Sequence, residues 1–470
     1  LLVLQSAYLG VTSSPSLFYV GNVFAHHYGG LLLALLLLFP ALRGLAAARR
    51  DGTGGFVPGV VALVLGLGAV ASAIVLEVVH NTADNRPILL LHIGLAVGAV
   101  VFGFAAVALH ARRAAGVARL ARNALAGAGV LSVVLLLLGP GMRERDRERY
   151  VIRNPLEAPL TMSEETMGGA DGPFFPSSSA TSTGGRIPSD FFMTSESCKR
   201  CHSDIYDQWE ESAHHFSSFN NQWYRKSIEY MQEVNSIQSA KWCAGCHDHA
   251  VLFNGVMDQP VADFLETQEA HTGISCNSCH AITHVKDTMG NGGFFLEYPP
   301  MHDLAVSENP VLRWLHDKAV SLDPGPHKDV FLKPFHREQT SEFCASCHKV
   351  HLDEPVNNYR WLGLLNEYDN WQASGVSGHG ARSFYYPAEP MDCADCHMPP
   401  VASDDKGNID GYVHSHSFLA ANTAVPVANL DEAQLANTID FLQKRQVTVD
   451  IFAAGPARGV EAAGSGDGVD

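Results

Sequence analysis

The sequence predicts a mainly α-helical protein with two unlike parts, a four-helix transmembrane region and a loop-rich domain that follows it. Three observations support this prediction. The first 142 residues contain long runs of Leu, Val, Ala and Gly. Acidic residues are concentrated after residue 150, and all ten cysteines fall into five Cys-x-x-Cys-His repeats between residues 198 and 396. A chain of 470 residues is long enough for the membrane part and one or two further domains.

Four stretches reach the roughly 20 apolar residues that are needed to cross a bilayer as helices. They lie at about 18–42, 56–80, 87–110 and 123–142. The second to fourth are rich in Gly and Ala, which suits close helix packing in lipid. Residues 1–10 are apolar without a basic segment or a clear cleavage site, so no signal peptide is predicted and the chain is expected to begin inside an upstream segment.

Arginines predict the orientation of these helices. They follow the first span and separate the third from the fourth, at Arg43, Arg49, Arg50, Arg112, Arg113, Arg119 and Arg122. By the positive-inside rule both loops are cytoplasmic, which places everything after residue 142 outside the cytoplasmic membrane. The charges of the run at 143–149 (RERDRER) nearly cancel, so this run does not change the prediction.

The two parts differ in charge. Residues 1–150 carry 12 Lys and Arg against 6 Asp and Glu, a net charge of +6. Because the whole chain has a net charge of −17, residues 151–470 carry −23. Such an acidic domain disfavours nucleic acid and anionic membrane surfaces, and it favours basic protein partners.

The five repeats contain the residues that are expected to bind a cofactor in the second part of the chain. They are Cys198-Lys-Arg-Cys201-His202, Cys243-Ala-Gly-Cys246-His247, Cys276-Asn-Ser-Cys279-His280, Cys344-Ala-Ser-Cys347-His348 and Cys393-Ala-Asp-Cys396-His397. Two thiols three positions apart can add to the two vinyl groups of one haem, and the adjacent His then ligates the iron. Disulfides or zinc sites are the alternatives for an even number of cysteines. A histidine after every pair favours five covalently attached haems c.

The spacing of the repeats predicts how the haem domain is built. The first cysteines of successive repeats stand 45, 33, 68 and 49 residues apart, so each haem has only a few dozen residues around it. Segments this short are not expected to form an ordinary aliphatic core. The sequence therefore predicts that the haems are the core and lie close together, covered by short helices and long loops.

The second axial ligand of each iron decides between a relay and an enzyme. The haem region contains 18 histidines, of which five are proximal, so bis-histidine ligation of most haems is available. Such iron is six-coordinate and leaves no place for a substrate. The favoured distal candidates are His214, His271, His336, His351 and His416. The reserves are His215, His284, His327 and His379.

Residues 198–422 resemble the multihaem cytochromes related to the tetrahaem cytochrome of ammonia-oxidising bacteria. The matching stretches are SAHHFSSFNN at 212–221, HTGISCNSCHAITHV at 271–285, FCASCHKVHL at 343–352, SGVSGHGARSFYY at 374–386 and CADCHMP at 393–399. The resemblance covers about half of the chain and does not extend to the membrane spans. It implies electron transfer, and it supports as ligands His214, His271, His284, His351, His379 and His416.

Ionisable residues also lie in the outer leaflet of the predicted membrane region, where they are costly and usually functional. They are His26, His27, Glu77, His80 and His92. The functional interpretations are a haem b held by two of these imidazoles, with His27, His80 and His92 singled out, or a quinol pocket in which Glu77 and His80, one turn apart on one face, accept protons. The alternatives are a distal ligand for the lowest haem c and simple interfacial residues. His110 is assigned to the cytoplasmic interface.

These patterns favour a membrane-anchored pentahaem cytochrome that transfers electrons from quinol or a membrane complex to a partner cytochrome. The alternatives are a reductase or oxidase of a small nitrogen or sulfur compound at a five-coordinate haem, and a cytochrome subunit of a larger membrane complex. The predicted divisions are a transmembrane region at 1–142, a linker or surface strap at 143–195, a pentahaem domain at 196–422 and an extension or start of a further domain at 423–470. A helix at LDEAQLANTIDFLQKR and a strand at QVTVDIF are predicted in the last part.

Overall fold

The computed structural model describes residues 2–52, 54–111, 117–357, 365–380 and 389–444. Within them the chain is mainly α-helical with few and short strands, as the sequence predicts. The predicted strand at 446–452, Arg112, Arg113 and part of the stretch 374–386 lie outside the described residues, as do the side chains of His110, Arg119 and Arg122.

The N-terminal part is a bundle of long apolar helices. Its helices are α1 (Leu2–Val11), α2 (Leu17–Arg50), α3 (Phe56–Val79), α4 (Arg86–Ala111) and α5 (Val117–Glu148). The last four are long and apolar enough to cross a membrane, which confirms the four long apolar helices that the sequence predicts. The short apolar helix α1 was not predicted, and it packs against α5 and α2.

Glycines allow close packing between α3 and α4. A Cβ on Gly98 of α4 would lie only 2.8 Å from the Cδ1 atom of Leu65, and a Cβ on Gly68 of α3 would lie 3.3 Å from that of Leu95. Each glycine therefore accepts a leucine of the opposite helix. This is the small-residue packing that drives helix association in lipid.

The second part is built of short helices joined by loops. These helices are α6 (Met162–Glu165), α7 (Ser189–Phe192), α8 (Ser195–Lys199), α9 (Ser203–Glu210), α10 (Gln222–Val234), α11 (Lys241–His247), α12 (His249–Asn254), α13 (Cys276–His280), α14 (His302–Val306), α15 (Pro310–Leu322), α16 (Gly325–Phe331), α17 (Phe335–Glu338), α18 (Thr340–Ala345), α19 (Glu367–Ala373), α20 (Cys393–His397), α21 (Ala424–Ala428) and α22 (Glu432–Gln443). The last of them, α22, matches the helix that the sequence predicts there.

Two small sheets accompany these helices. Their strands are β1 (Ala180–Thr181), β2 (Ile282–Val285), β3 (Phe294–Leu296), β4 (Pro400–Ala402) and β5 (Tyr412–His414). In the first sheet β3 is central, pairing in parallel with β1 and antiparallel with β2. In the second, β4 and β5 form an antiparallel pair.

An apolar core also exists in the second part, contrary to the expectation from the repeat spacing. It includes Phe192, Phe253 and Phe294, which are all fully buried. Residues 174–181, within the stretch predicted as a linker or strap, are buried as well and contribute strand β1. The difference arises because apolar side chains outside the repeats combine over a long stretch of sequence, which the distance between cysteines does not reveal.

Candidate haem sites

The two cysteines of each Cys-x-x-Cys-His repeat, numbered motif 1 to motif 5 in chain order, lie on or beside a short helix. Motifs 2, 3 and 5 lie on α11, α13 and α20, while motifs 1 and 4 begin on α8 and α18 and continue past their ends. A spacing of three residues puts both thiols on one helix face, with the histidine directly after them. Capping boxes start two of these helices, one from Ser275 and one from Asp392. All ten cysteines are free thiols, as thioether formation requires.

Four motif histidines are held through Nδ1 by an oxygen acceptor. The bonds are His202 to Asp405 Oδ1 at 2.7 Å, His247 to Ser217 O at 2.8 Å, His280 to Phe331 O at 2.6 Å and His397 to Leu419 O at 2.7 Å. An imidazole that donates from Nδ1 keeps its Nε2 lone pair for a metal. The side chains present therefore fit the proximal ligands of haem c.

A second imidazole faces three of the motif histidines. The ring centroids are 6.3 Å apart for His202 and His327, 6.2 Å for His280 and His416, and 6.1 Å for His348 and His214. With metal–nitrogen bonds of about 2 Å, two imidazoles on opposite sides of one iron have ring centroids about 6 Å apart. All three pairs thus have the spacing of bis-histidine ligation.

Two histidines compete for the position opposite His280. The ring of His336 is nearer, at 5.3 Å, but its Nδ1 accepts a hydrogen bond from Lys333 N at 2.9 Å, so its proton is on Nε2. By contrast, Nδ1 of His416 donates to His414 O at 2.8 Å and leaves Nε2 free to ligate. The geometry therefore favours His416.

Burial favours the neutral form of the three imidazoles that face motif histidines. It lowers the pKa of His214 to about 3, with a further contribution from His348, and the pKa values of His327 and His416 to about 4. A neutral imidazole is the form that binds a metal.

For motifs 2 and 5 the ring neighbour is not an imidazole in the described part of the chain. Tyr224 stacks on His247 with ring centroids 4.5 Å apart, and Phe441 lies 6.0 Å from His397. Residues 381–388, which follow the reserve candidate His379, are outside the described residues. The ring of His379 itself lies 6.1 Å from that of Trp371.

The other predicted distal ligands lie elsewhere. His271 donates from Nε2 to Leu265 O at 2.7 Å, and the buried His351 binds Glu165 through Nε2 at 2.8 Å. Among the reserves, His284 stacks on Tyr150, and Nδ1 of His215 donates to Glu210 O at 2.7 Å. Of the five favoured candidates, His214 and His416 face a motif histidine in the manner of an axial pair. The reserve His327 does so as well, and sequence context alone did not distinguish it.

Cysteines of different motifs lie side by side. The thiols of Cys198 and Cys276 lie next to each other, as do those of Cys246 and Cys347 and those of Cys344 and Cys393. Motif 1 thus adjoins motif 3, while motif 4 adjoins motifs 2 and 5. The Cys347 thiol also lies near Cys279, so motif 4 is a neighbour of motif 3 as well.

Helix α15 connects the haem domain to one end of the membrane bundle. Nζ of Lys318 pairs with Glu77 at 3.1 Å, and the hydroxyl of the buried Tyr19 donates to Asp323 at 2.7 Å. The side chains of His80 and Ser321 are hydrogen-bonded as well. Helix α16, which carries His327, follows α15 directly, so the motif 1 pair lies close to a contact between the haem domain and the bundle.

The three membrane histidines singled out in the sequence do not come together. Nε2 of His27 binds Glu77 at 3.1 Å, and the hydroxyl of Tyr28 donates to the same carboxylate at 3.3 Å. His80 contacts Ser321 in the haem domain. His92 lies beside Ser72, with Nδ1 and Oγ 3.2 Å apart.

Comparisons with known proteins match parts of this chain to c-type cytochromes. Residues 197–281, which hold motifs 1 to 3, match the family described as cytochrome c554 and c-prime. The cytochrome c nitrite reductase subunit NrfA of Nitratidesulfovibrio vulgaris is 23% identical over 234 residues, 46% of this chain and 36% of that protein. This chain thus spans about a third of that relative's length. No solved structure matches. Together, the matches support a multihaem c-type cytochrome with covalently bound haem.

Proposed function

We propose that this protein is a membrane-anchored pentahaem cytochrome c that carries electrons from quinol, on the outer side of the cytoplasmic membrane, to a soluble or membrane-bound redox partner. The main support is one relationship. The histidine pair of motif 1 adjoins the helix that binds the membrane bundle, and the Cys198 thiol of motif 1 lies next to the Cys276 thiol of motif 3. When bound, each haem iron takes up and releases one electron.

The neighbouring thiols define a route. Motif 1 is the entry, because His327 follows the helix that contacts the membrane helices. Motif 3 comes next through Cys276, and motif 4 follows, since Cys347 lies near Cys279. Motifs 2 and 5 both adjoin motif 4 and are the two exits.

The donor is proposed to be quinol because of the groups around Glu77. Its carboxylate contacts His27, Tyr28 and Lys318 near the end of the bundle that meets the haem domain. Oxidation of a quinol releases two electrons and two protons. The Glu77 carboxylate and the His27 imidazole are groups that can accept such protons, while the electrons pass to motif 1.

The acceptor is proposed to be a basic protein surface, such as that of a cytochrome or a membrane complex. Residues 151–470 carry a net charge of −23, which steers cationic partners by long-range attraction. The same charge argues against nucleic acid as a partner.

Reduction by quinol analogues tests the donor. The full-length protein in detergent is mixed with a short-chain ubiquinol or menaquinol analogue, and haem c reduction is followed by stopped-flow absorbance. Glu77→Gln is expected to slow this reaction by roughly tenfold or more, since a proton acceptor is lost. Reduction by dithionite should be unchanged.

Glu233→Gln is the matched control, because Glu233 is an exposed carboxylate of the haem domain. Full reduction by dithionite with none by either quinol analogue in the unaltered protein would exclude quinol as the donor. Equal rates for Glu77→Gln and the unaltered protein would remove Glu77 from the proposed site.

A second candidate function is reduction of a small nitrogen compound at motif 2 or motif 5. It is favoured by the ring neighbours Tyr224 and Phe441, which are not iron ligands of the imidazole type, and by the likeness to a nitrite reductase subunit. A high-spin EPR signal that shifts on adding nitrite or hydroxylamine would support it. A fully low-spin spectrum that these compounds leave unchanged would exclude it.

A further inference from the structure

Two histidines of the membrane bundle face each other as the axial pairs of the haem domain do. The ring centroids of His26 on α2 and His92 on α4 are 6.4 Å apart, and the ring planes are nearly perpendicular at 85°. The three pairs that contain a motif histidine have separations of 6.1 to 6.3 Å. The membrane pair therefore has almost the same spacing as the pairs that fit a haem iron.

Nδ1 of each ring is already occupied. Nδ1 of His92 lies 2.9 Å from the carbonyl oxygen of Ala69 and 3.2 Å from the hydroxyl of Ser72. Nδ1 of His26 lies 3.4 Å from the hydroxyl of Ser6 on α1. Backbone and hydroxyl partners of this kind fix the orientation of a metal-ligating histidine and leave Nε2 as the ligand.

The rings of His26 and His92 face each other across the bundle from helices α2 and α4. Helix α2 packs against α1 and α3, whereas α4 packs against α3 and α5. At a rise of 1.5 Å per residue, His26 lies about 14 Å from the first residue of α2, and His92 about 9 Å from that of α4. Both depths fall in the outer half of a hydrocarbon layer about 30 Å thick. Gly29 and Gly30, one turn after His26, keep side-chain bulk away from that face.

We propose that His26 and His92 are the axial ligands of a b-type haem in the membrane bundle. Two ligands suffice for this cofactor, since the porphyrin supplies the four equatorial nitrogens. A bare metal ion needs more protein ligands, and the described residues contain no cluster of three or more His, Cys, Asp or Glu side chains placed to hold one. Attachment is non-covalent because every cysteine lies between residues 198 and 396.

Such a haem would extend the route proposed above, and this extension rests on the proposed function. His26 is adjacent to His27, which contacts Glu77. The iron of this haem would alternate between the ferric and ferrous states, so the two electrons of a quinol would pass one at a time to the haem of motif 1, while Glu77 and His27 would accept the two protons. Haem binding by His26 and His92 does not itself require quinol as the donor.

Haem extraction tests the binding. The full-length protein is purified in detergent and treated with acidified acetone, which removes haem b but leaves thioether-bound haem c. Pyridine haemochrome spectra then count both. One extractable haem is expected for each polypeptide in the unaltered protein. His26→Ala and His92→Ala should each lower the extractable haem by roughly tenfold or more, with the covalent haem unchanged.

His80→Ala is the matched control, because it removes another imidazole of the bundle, one that is hydrogen-bonded to Ser321 instead, and it should keep the extractable haem. His26→Met, which restores a ligand, should recover haem with an altered spectrum and thus distinguishes ligand loss from misfolding. No extractable haem in a protein with its full complement of haem c would overturn the proposal. So would wild-type amounts in both alanine variants. Neither outcome depends on whether quinol reduces the protein.

Discussion

The imidazole of His327 lies parallel to that of His202, with ring centroids 6.3 Å apart and an interplanar angle of 13°. His202 belongs to the first motif, whereas His327 lies on α16, between the third and fourth motifs. This histidine pair thus joins distant parts of the chain. It also joins the haem domain to the membrane bundle, because α16 follows the helix whose Lys318 pairs with Glu77.

Removing His327 is expected to open one haem. In His327→Ala the iron of motif 1 loses its sixth ligand and becomes five-coordinate, so the reduced protein should bind one more equivalent of carbon monoxide than the unaltered protein. His316→Ala is the control, since His316 pairs with Asp317 instead. An unchanged carbon monoxide stoichiometry in His327→Ala would mean that another side chain ligates this iron.

His416 and His336 are expected to respond differently to the same substitution. His416→Ala should add one carbon monoxide-binding haem, because Nε2 of His416 is the nitrogen left for the iron of motif 3. His336→Ala should add none, since Nδ1 of His336 accepts from Lys333 N and its Nε2 bears the proton. The opposite pattern, with His336→Ala alone opening the haem, would reverse the assignment.

The Cys-x-x-Cys-His motifs and the apolar spans could be predicted from the sequence because each is formed by consecutive residues. A Cys-x-x-Cys-His motif needs only one helical turn to place its thiols, and a span needs only a long apolar run. The pairing of distal ligands has no such local signal. His327 on α16 approaches His202 from a distant part of the chain, and this is a tertiary contact that sequence spacing does not contain.

The orientation of the membrane histidines is a second feature that could not be predicted from the sequence. His26 and His27 are adjacent, yet successive side chains on a helix point about 100° apart. Which of them faces His92 is therefore set by the rotation of α2 in the bundle. The structure turns His27 towards Glu77 and His26 towards His92. The sequence pattern favours His27 for the haem or quinol site. Only the packing of the bundle distinguishes His26 from His27.

Tyr19 is expected to hold the haem domain against the bundle. Its hydroxyl donates to the Asp323 carboxylate at 2.7 Å and the ring is almost fully buried. Tyr19→Phe should weaken this contact by about 1.5–3 kcal/mol, the usual range for a hydrogen bond to a charged group. Faster proteolysis of the exposed segment around Leu156 would report the loosening. The exposed Tyr230→Phe should leave the rate unchanged, and equal rates for all three proteins would contradict the role of Tyr19.

Asp405 is expected to lower the reduction potential of the haem of motif 1. Its Oδ1 atom accepts from Nδ1 of His202 at 2.7 Å and the side chain is fully buried, whereas His247, His280 and His397 donate to backbone carbonyls. A carboxylate partner makes the imidazole a stronger electron donor and stabilises ferric over ferrous iron.

Asp405→Asn removes this charge and should raise one reduction potential by on the order of 50 mV, equivalent to about 1 kcal/mol for one electron. The spectroelectrochemical titration should show one haem shifted and the others in place. The control is Asp404→Asn, because Asp404 is the exposed neighbour of the same loop. A shift of similar size in both variants would indicate a general effect of charge at the surface, and a shift to lower potential in Asp405→Asn would contradict the proposed action of the carboxylate on His202.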